Sequence, residues 1–307
     1  IKHGALGDIV QALDAFASLR AGNPHAHIAL MTSPVFLSLA KMMPWFDEVV
    51  ADPRAGLLNL AAAWRIRQYF RQDWSVIVDM QCSSRTQNYF AHFVPSNTCW
   101  IGTASGCSDP LPDFAGVNNR DRMVTTAKMA GGILQSPDMS WLVDGATQTD
   151  DPLVMINDKQ YAVLIPGCSL AKPQKRWPAY GFAAIGNELA SRGFEIVLVG
   201  TADDRDAVNA VLAASPDAID LCGKTNLAAL ARLLSGAAFV IGNDTGPMFL
   251  AARTGVPSLM IMGPDTDPTM SAPKGPEASW LQGAPISEVS AATAIGALES
   301  LGLKPNA

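Results

Sequence analysis

Short runs of β-branched and apolar residues alternate with longer amphipathic stretches along nearly the whole chain. In the first half, this pattern predicts strands at 27–32, 48–51 and 74–79, with residues 1–2 as the end of a further strand. Helices are predicted at 9–20, 35–43, 58–71, 83–93 and 120–132. Strands that are apolar throughout are typical of parallel sheets covered by helices on both faces.

The second half repeats the alternation. Strands are predicted at 162–165, 195–199, 219–220, 239–241 and 258–262. Helices are predicted at 179–191, 203–214, 227–235, 248–253 and 289–301. Two successive open parallel sheets indicate two doubly wound α/β domains, and the loop-rich stretch 145–160 is the predicted linker. We therefore expect domains at residues 1–152 and 153–307.

Composition excludes several classes of protein. The chain has 307 residues, of which 49 % are hydrophobic and 16 % charged, as expected of a globular protein with two cores. Its net charge of −6 argues against a nucleic-acid-binding protein. Five scattered cysteines without metal-binding spacing indicate a reduced, cytosolic protein. No apolar run approaches the roughly 20 residues that span a bilayer, and because the chain opens on Ile1 we expect that a few residues precede it.

The first cluster of candidate functional residues is the loop Gly4-Ala-Leu-Gly-Asp8, between a strand and a helix. Its two glycines allow a sharp turn and close approach of a ligand. Asp8 then lies at the carboxyl edge of the sheet, where α/β proteins bind ligands. The alternative is that Asp8 only caps the following helix.

A second cluster follows the strand at 162–165 and includes Lys175-Arg-Trp-Pro178. Pro178 favours a helix start, and a cation just before a helix can bind a diphosphate together with the helix amides. An exposed basic turn is the alternative. A third cluster, Gly242-Asn-Asp-Thr-Gly-Pro247, joins a strand to a helix and predicts a turn whose amides bind an anion.

Two further groups of residues are weaker candidates. Asp204 follows the strand at 195–199, where an acidic residue can accept ribose hydroxyls or cap a helix. Four arginines of the first half form local basic clusters, which are either exposed charge or a binding surface: Arg65, Arg67, Arg120 and Arg122. The histidines have no metal-ligand spacing, and no metal site is predicted.

Taken together and in order, these motifs resemble glycosyltransferase family 9, the ADP-heptose:lipopolysaccharide heptosyltransferases. The resemblance covers nearly the whole chain. Besides the three loops above, it rests on Leu221-Cys-Gly-Lys-Thr-Asn-Leu227 and on Gly263-Pro-Asp-Thr-Asp-Pro268. The family implies a GT-B fold, in which two Rossmann-like domains face each other across a cleft. The first domain takes a lipid-linked acidic saccharide, the second takes the nucleotide sugar, and the last helix packs back on the first domain.

The resemblance also implies roles for individual residues. Asp8 becomes the general base of an inverting transfer. Lys175, Asp204, Asp244, Thr245 and Gly246 become the donor site. The four arginines become acceptor-binding residues. The donor is expected to be ADP-heptose, without a metal or other cofactor, and the protein is expected in the cytoplasm, in contact with the inner face of the inner membrane.

Two departures from the family pattern leave other functions open. Phe249 stands where most relatives carry histidine, and Gly263-Pro-Asp-Thr-Asp is one residue longer than the usual loop. Phe249 favours a degenerate protein that binds a nucleotide sugar without catalysis, or a transferase with another donor. An epimerase would need further acid/base residues, and a nicotinamide dehydrogenase would need the glycine-rich fingerprint that is absent here.

Overall fold

The fold divides into two compact α/β units, at 1–137 and 138–307. A computed structural model describes residues 1–53, 59–145, 152–156 and 159–304. The division comes earlier than the predicted boundary after Pro152, because α7 (Ser140–Val143) and the 3-10 helix Pro152–Met155 both pack on α10 (Leu227–Ser235) of the second unit. The predicted linker at 145–160 lies partly outside the described residues.

The first unit is built on short parallel strands. These are β1 (Ala29–Thr32), β2 (Glu48–Ala51), β3 (Val76–Val78), β4 (Cys99–Gly102) and β5 (Asp109–Pro110). β1 pairs with β2, while β3, β4 and β5 form a second group. Residues 1–3 join the groups, because the Lys2 amide donates to Met31 (3.0 Å) and the Met80 amide donates to Ile1 (3.1 Å). Residues 1–2 are not part of a regular strand, although these bonds place them between the two groups of strands.

Helices flank this sheet. They are α1 (Leu6–Gln11), α2 (Leu13–Gly22), α3 (Leu37–Met42), α4 (Leu60–Phe70), α5 (Ser84–Phe93) and α6 (Asn119–Met129). The first residue of the helix predicted at 58–71 lies outside the described residues. The helix predicted at 9–20 begins earlier, at Leu6, and is interrupted at Ala12. Asp8 therefore lies inside a helix and not in the loop before it.

The second unit has one six-stranded parallel sheet. Its strands are β6 (Tyr161–Ile165), β7 (Glu195–Leu198), β8 (Ile219–Asp220), β9 (Phe239–Asn243), β10 (Ser258–Met262) and β11 (Ala278–Gln282), in the order β11-β10-β9-β6-β7-β8. The chain begins at the centre, moves outward to β8, and returns to the centre at β9. This reversal creates a switch point between the carboxyl ends of β6 and β9, where ligands of such sheets bind.

The helices of the second unit cover both faces of its sheet. Besides α7 and α10, they are α8 (Ala179–Ser191), α9 (Arg205–Leu212), α11 (Gly246–Thr254), α12 (Pro268–Ser271) and α13 (Ala291–Ser300). That the last helix returns to the first domain stays a prediction. α13 packs on α8 and β10, and its Ala294 and Leu298 are buried in the core of the second unit.

Three strands were not predicted from the sequence pattern. β5 has only two residues, and the sequences of β4 (Cys-Trp-Ile-Gly) and β11 (Ala-Ser-Trp-Leu-Gln) lack the continuous aliphatic run of the predicted strands. β4 is nevertheless central to the core of the first unit, where Trp100 is fully buried against Phe70 and Phe90. The predicted class, α/β with two doubly wound parallel sheets, is confirmed. In the described part of the chain, no helix is long and apolar enough to cross a membrane.

The contact between α2 and α6 generates a prediction about stability. A Cβ atom on Gly22, at the end of α2, would lie 2.0 Å from the Gly131 carbonyl oxygen. Backbone cannot retreat as a flexible side chain can, so Gly22→Ala should lower the free energy of unfolding by about 1–3 kcal/mol, the usual cost of overpacking. Urea unfolding followed by circular dichroism measures this change.

Gly296→Ala is the matched control. Gly296 lies within α13, and a Cβ there would meet no atom within 4 Å. Alanine should therefore raise the free energy of unfolding by about 0.5–1 kcal/mol, because glycine is the poorer helix former. Equal effects of the two substitutions would contradict the packing of α2 on α6.

Candidate active site

A buried asparagine organises the switch point of the second unit. Asn243, the last residue of β9, is fully buried. Its side-chain nitrogen donates to the carbonyl oxygens of Pro166 (2.8 Å) and Gly167 (3.3 Å), in the loop after β6. Its side-chain oxygen accepts the Trp177 amide at 2.8 Å. One side chain thus fixes the loop after β6 and the approach to α8 against the end of β9.

This arrangement brings two predicted site residues into contact. Lys175 Nζ donates to Asp244 Oδ2, and both side chains are mostly buried. The Thr266 hydroxyl donates to the same carboxylate oxygen at 2.7 Å. Sequence reasoning had not singled out Thr266. Lys175 is therefore not part of an exposed basic turn, since its ammonium is held at the carboxyl end of the sheet.

The predicted anion-binding turn is the amino terminus of α11. Thr245 is the N-cap residue and Gly246 the first helical residue. Within the described residues, the Thr245 side chain makes no capping hydrogen bond. The free amides of a helix amino terminus and the partial positive charge there favour an anion. Lys175, Asp244, Thr245 and Gly246 therefore form one contiguous group, which can bind a diphosphate.

Asp204 lies at the neighbouring strand end. Its Oδ2 accepts hydrogen bonds from the Thr201 amide (2.9 Å) and the Thr201 hydroxyl (2.8 Å), in the 3-10 helix Ala202–Asp204. A Cβ on Gly167 would come within 2.2 Å of the Asp204 carboxyl group, so only glycine fits there. Asp204 thus stabilises a turn and also lies beside the loop after β6. Its contact with a ribose stays a prediction.

The two departures from the family pattern lie in well-packed surroundings. Phe249 is only 6 % exposed, on a buried face of α11, where it adds to the core of the unit. The loop that begins at Gly263 is held by Gln282, whose amide donates to the carbonyls of Gly263 (3.0 Å) and Thr266 (2.7 Å). These bonds keep Thr266 in place to reach Asp244.

In the first unit, Asp8 lies in the first turn of α1. Its Oδ2 accepts the Ala5 amide at 3.0 Å, so it does stabilise the helix start, although Ala5 and not Asp8 is the N-cap residue. The carboxylate is only half-buried. Gly4 makes this turn possible, because its φ is 111° and a Cβ there would collide with Phe36 at 2.2 Å. Asp8 can therefore stabilise the helix start while its carboxylate stays partly exposed.

A buried lysine beside Asp8 was missed by the sequence analysis. Lys2 is 3 % exposed, and its ammonium reaches the Met80 carbonyl oxygen at 3.5 Å. Burial lowers the pKa of Lys2, an effect that the nearby Asp8 carboxylate opposes and the Arg122 guanidinium reinforces. The only sequence signal was a lysine within a predicted strand end. Lys2, Asp8 and Arg122 therefore interact electrostatically at the carboxyl edge of the sheet.

The four predicted acceptor-binding arginines occupy different environments. Arg120 Nε donates to Asp14 Oδ2 at 2.5 Å, and Asp14 is fully buried in α2, so this cation serves the fold. Arg122 lies near Lys2, as described above. Arg65 is exposed and Arg67 half-buried on α4. The structure thus places Arg122 near Lys2 and gives Arg120 a structural partner.

Metal chemistry was not predicted, and no group of three or more potential metal-ligating side chains occurs among the residues that the structure describes. The five cysteines are free.

The chain is similar to known proteins over most of its length. The model of glycosyltransferase family 9 (heptosyltransferase) matches residues 124–288. The chain is similar to lipopolysaccharide heptosyltransferase 2 of Salmonella typhimurium, with 25 % identity over 286 residues, which cover 85 % of this chain and 81 % of the relative.

Solved structures share the fold. A glycosyl transferase family 9 protein from Veillonella parvula superposes with a TM-score of 0.82 at 20 % identity, covering 97 % of this chain and 94 % of that one. The E. coli heptosyltransferase WaaC, solved with ADP-2-deoxy-2-fluoro heptose, gives a TM-score of 0.75 at 16 % identity, covering 98 % and 99 %.

The different contributions of Arg120 and Arg122 to stability can be tested. Arg120→Ala removes a charged hydrogen bond from buried Asp14 and should lower the free energy of unfolding by about 1.5–3 kcal/mol. Arg122→Ala lacks this penalty and should change it by less than about 0.5 kcal/mol, as at most surface positions. Urea unfolding of both variants measures the difference, and equal destabilisation would refute the separation of roles.

Proposed function

Because this chain belongs to glycosyltransferase family 9, we propose that it transfers heptose from ADP-heptose to a lipid-linked saccharide such as the lipopolysaccharide core, with inversion at the anomeric carbon. The observation that carries this proposal is the ion pair between Lys175 and Asp244. It lies directly before the start of α11, at the switch point of the second unit. The names of similar proteins support the choice of sugar and acceptor.

The donor half of the proposal rests on charge. A nucleoside diphosphate sugar carries its negative charge on the diphosphate. Lys175 supplies a cation, and the Thr245 and Gly246 amides supply aligned donors at a helix start. These groups also stabilise the diphosphate as it leaves, which is where negative charge develops during transfer. We therefore propose that no divalent cation is needed.

Asp8 is the proposed general base. An acceptor hydroxyl is a weak nucleophile until it loses its proton, and a carboxylate within hydrogen-bond reach can accept that proton as the new bond forms. The hydroxyl oxygen bonds to the anomeric carbon while the bond from that carbon to the diphosphate oxygen breaks, and ADP departs. Attack from the face opposite the leaving group inverts the anomeric centre.

The buried Lys2 is a charged neighbour of Asp8. Their attraction raises the pKa of Lys2, against the lowering effect of burial. Arg122, in the same electrostatic environment, is the arginine best placed to bind an acidic group of the acceptor. We propose that the protein acts in the cytoplasm, at the inner face of the inner membrane, where such an acceptor is anchored.

Lys175→Ala tests the donor site. Loss of the ammonium should weaken ADP-heptose binding by about 1.5–3 kcal/mol, the range for hydrogen bonds to charged groups. Isothermal titration calorimetry measures the affinity. Lys304→Ala, at an exposed lysine elsewhere in the second unit, is the control and should bind normally. Unchanged affinity in Lys175→Ala would remove Lys175 from the donor site.

Asp8→Asn tests the base. Asparagine can still accept the Ala5 amide hydrogen bond but cannot take a proton, so kcat should fall at least about a hundredfold while the fold and donor affinity persist. Steady-state kinetics with ADP-heptose and acceptor measure this. Asp138→Asn is the control, because Asp138 likewise accepts a backbone amide on the surface. Near-normal turnover of Asp8→Asn would leave Asp8 as a helix-capping residue only.

A further inference from the structure

The outer face of α4 combines apolar and basic side chains. One face of this helix packs on the core through Ala62, Ile66 and Phe70, which are all buried. The opposite face presents Leu60, 76 % exposed, and Trp64, 61 % exposed, one turn apart. A large exposed aromatic next to an exposed leucine on one helix face is uncommon on a protein that meets only water.

Arginines surround this apolar pair. Arg71, directly after α4, is exposed and follows the same line as Leu60 and Trp64, and Arg65 and Arg67 lie on either side of it. α4 itself contains no acidic residue, although the whole chain has a net charge of −6. The helix itself is therefore basic, with the exposed Asp73 two residues beyond Arg71 and with Glu48 beside Tyr69.

We propose that this face, made of Leu60, Trp64, Arg65, Arg67 and Arg71, docks the protein on an anionic lipid bilayer. Indole rings favour the headgroup level of a membrane, and leucine enters the acyl boundary. Arginines beside them pair with lipid phosphates, each contributing about 1 kcal/mol near an anionic surface. Arg65 and Arg67 then serve the membrane and not the acceptor sugar.

The topology of the first unit supports this orientation. α4 connects the carboxyl end of β2 to the amino end of β3, so its first turn, with Leu60 and Trp64, lies toward the carboxyl edge of the sheet. Asp8 lies at that same edge. A bilayer that contacts the start of α4 would therefore present a lipid-anchored hydroxyl at the edge of the sheet where Asp8 lies. This inference rests on the proposed function, because a lipid-linked acceptor is the reason for choosing a membrane over other anionic partners.

Co-sedimentation with vesicles tests the proposal. The full chain should bind phosphatidylethanolamine vesicles that contain about 30 % phosphatidylglycerol, and bind neutral phosphatidylcholine vesicles much less. Arg71→Gln should lower the partition coefficient about fivefold on the anionic vesicles, and added salt should abolish that difference. Trp64→Ser should lower it by at least about fivefold at any salt concentration, because its contribution is apolar.

Matched variants separate this surface from general effects. Trp280→Ser removes an exposed tryptophan from β11, and Lys128→Gln removes an exposed cation from α6; both should bind like the unaltered protein. Thermal unfolding verifies that each variant is folded. Equal binding by the α4 variants and these controls would overturn the proposal, as would a concentration-dependent dimer that Trp64→Ser abolishes without loss of vesicle binding.

A soluble acceptor distinguishes this inference from the function on which it rests. Trp64→Ser and Arg71→Gln should transfer heptose to a delipidated acceptor at the normal rate and lose activity only on acceptor embedded in vesicles. Equal loss on both acceptors would overturn the docking role. If the unaltered protein binds vesicles through α4 but transfers no sugar from ADP-heptose, the proposed function fails and the membrane surface stands.

Discussion

The site in the second unit depends on a single buried amide. Asn243 has no access to water, so its donor and acceptor must be satisfied by protein, and they are satisfied by three backbone groups from two other segments. Because Asn243 ends β9, those segments are held against the sheet at its switch point. Lys175 precedes one of them by two residues and Asp244 follows Asn243 directly, which is why the two charged groups meet.

The first unit also has buried polar residues next to the loops at the end of its strands. Residues 1–3 link the β1-β2 pair to the chain after β3 through backbone hydrogen bonds, and Lys2 is buried among them. Asp79, also fully buried, accepts the amides of Gln81 and Cys82 and shapes the turn after β3. In each unit, a buried polar residue at a central strand end fixes the loops, and the half-buried groups beside it are those proposed to meet substrate.

Several cations that look alike in sequence have different partners in the fold. Arg120 pairs with Asp14, and Arg205 pairs with Asp220, so both hold the backbone in place. Lys175 has an acidic partner too, but it shares that partner with Thr266 at an open strand end. Asp244 thus holds the Lys175 ammonium near the amides at the start of α11. An ion pair therefore need not exclude a role in binding when it lies at the edge of the sheet.

The sequence by itself determined the class of fold and pointed to the residues proposed to form the donor turn. Alternating apolar runs define parallel strands, and parallel strands bring their carboxyl ends to one edge, so Lys175, Asp244 and Thr245 were expected together. Only the tertiary structure decided which arginines remain available, that Lys2 is buried beside Asp8, and that Asn243 joins the loops. Periodicity is a local signal, whereas the bond from Arg120 to Asp14 spans 106 residues and depends on how α2 packs against α6. Such partners become visible only when the order of the strands has placed their helices side by side.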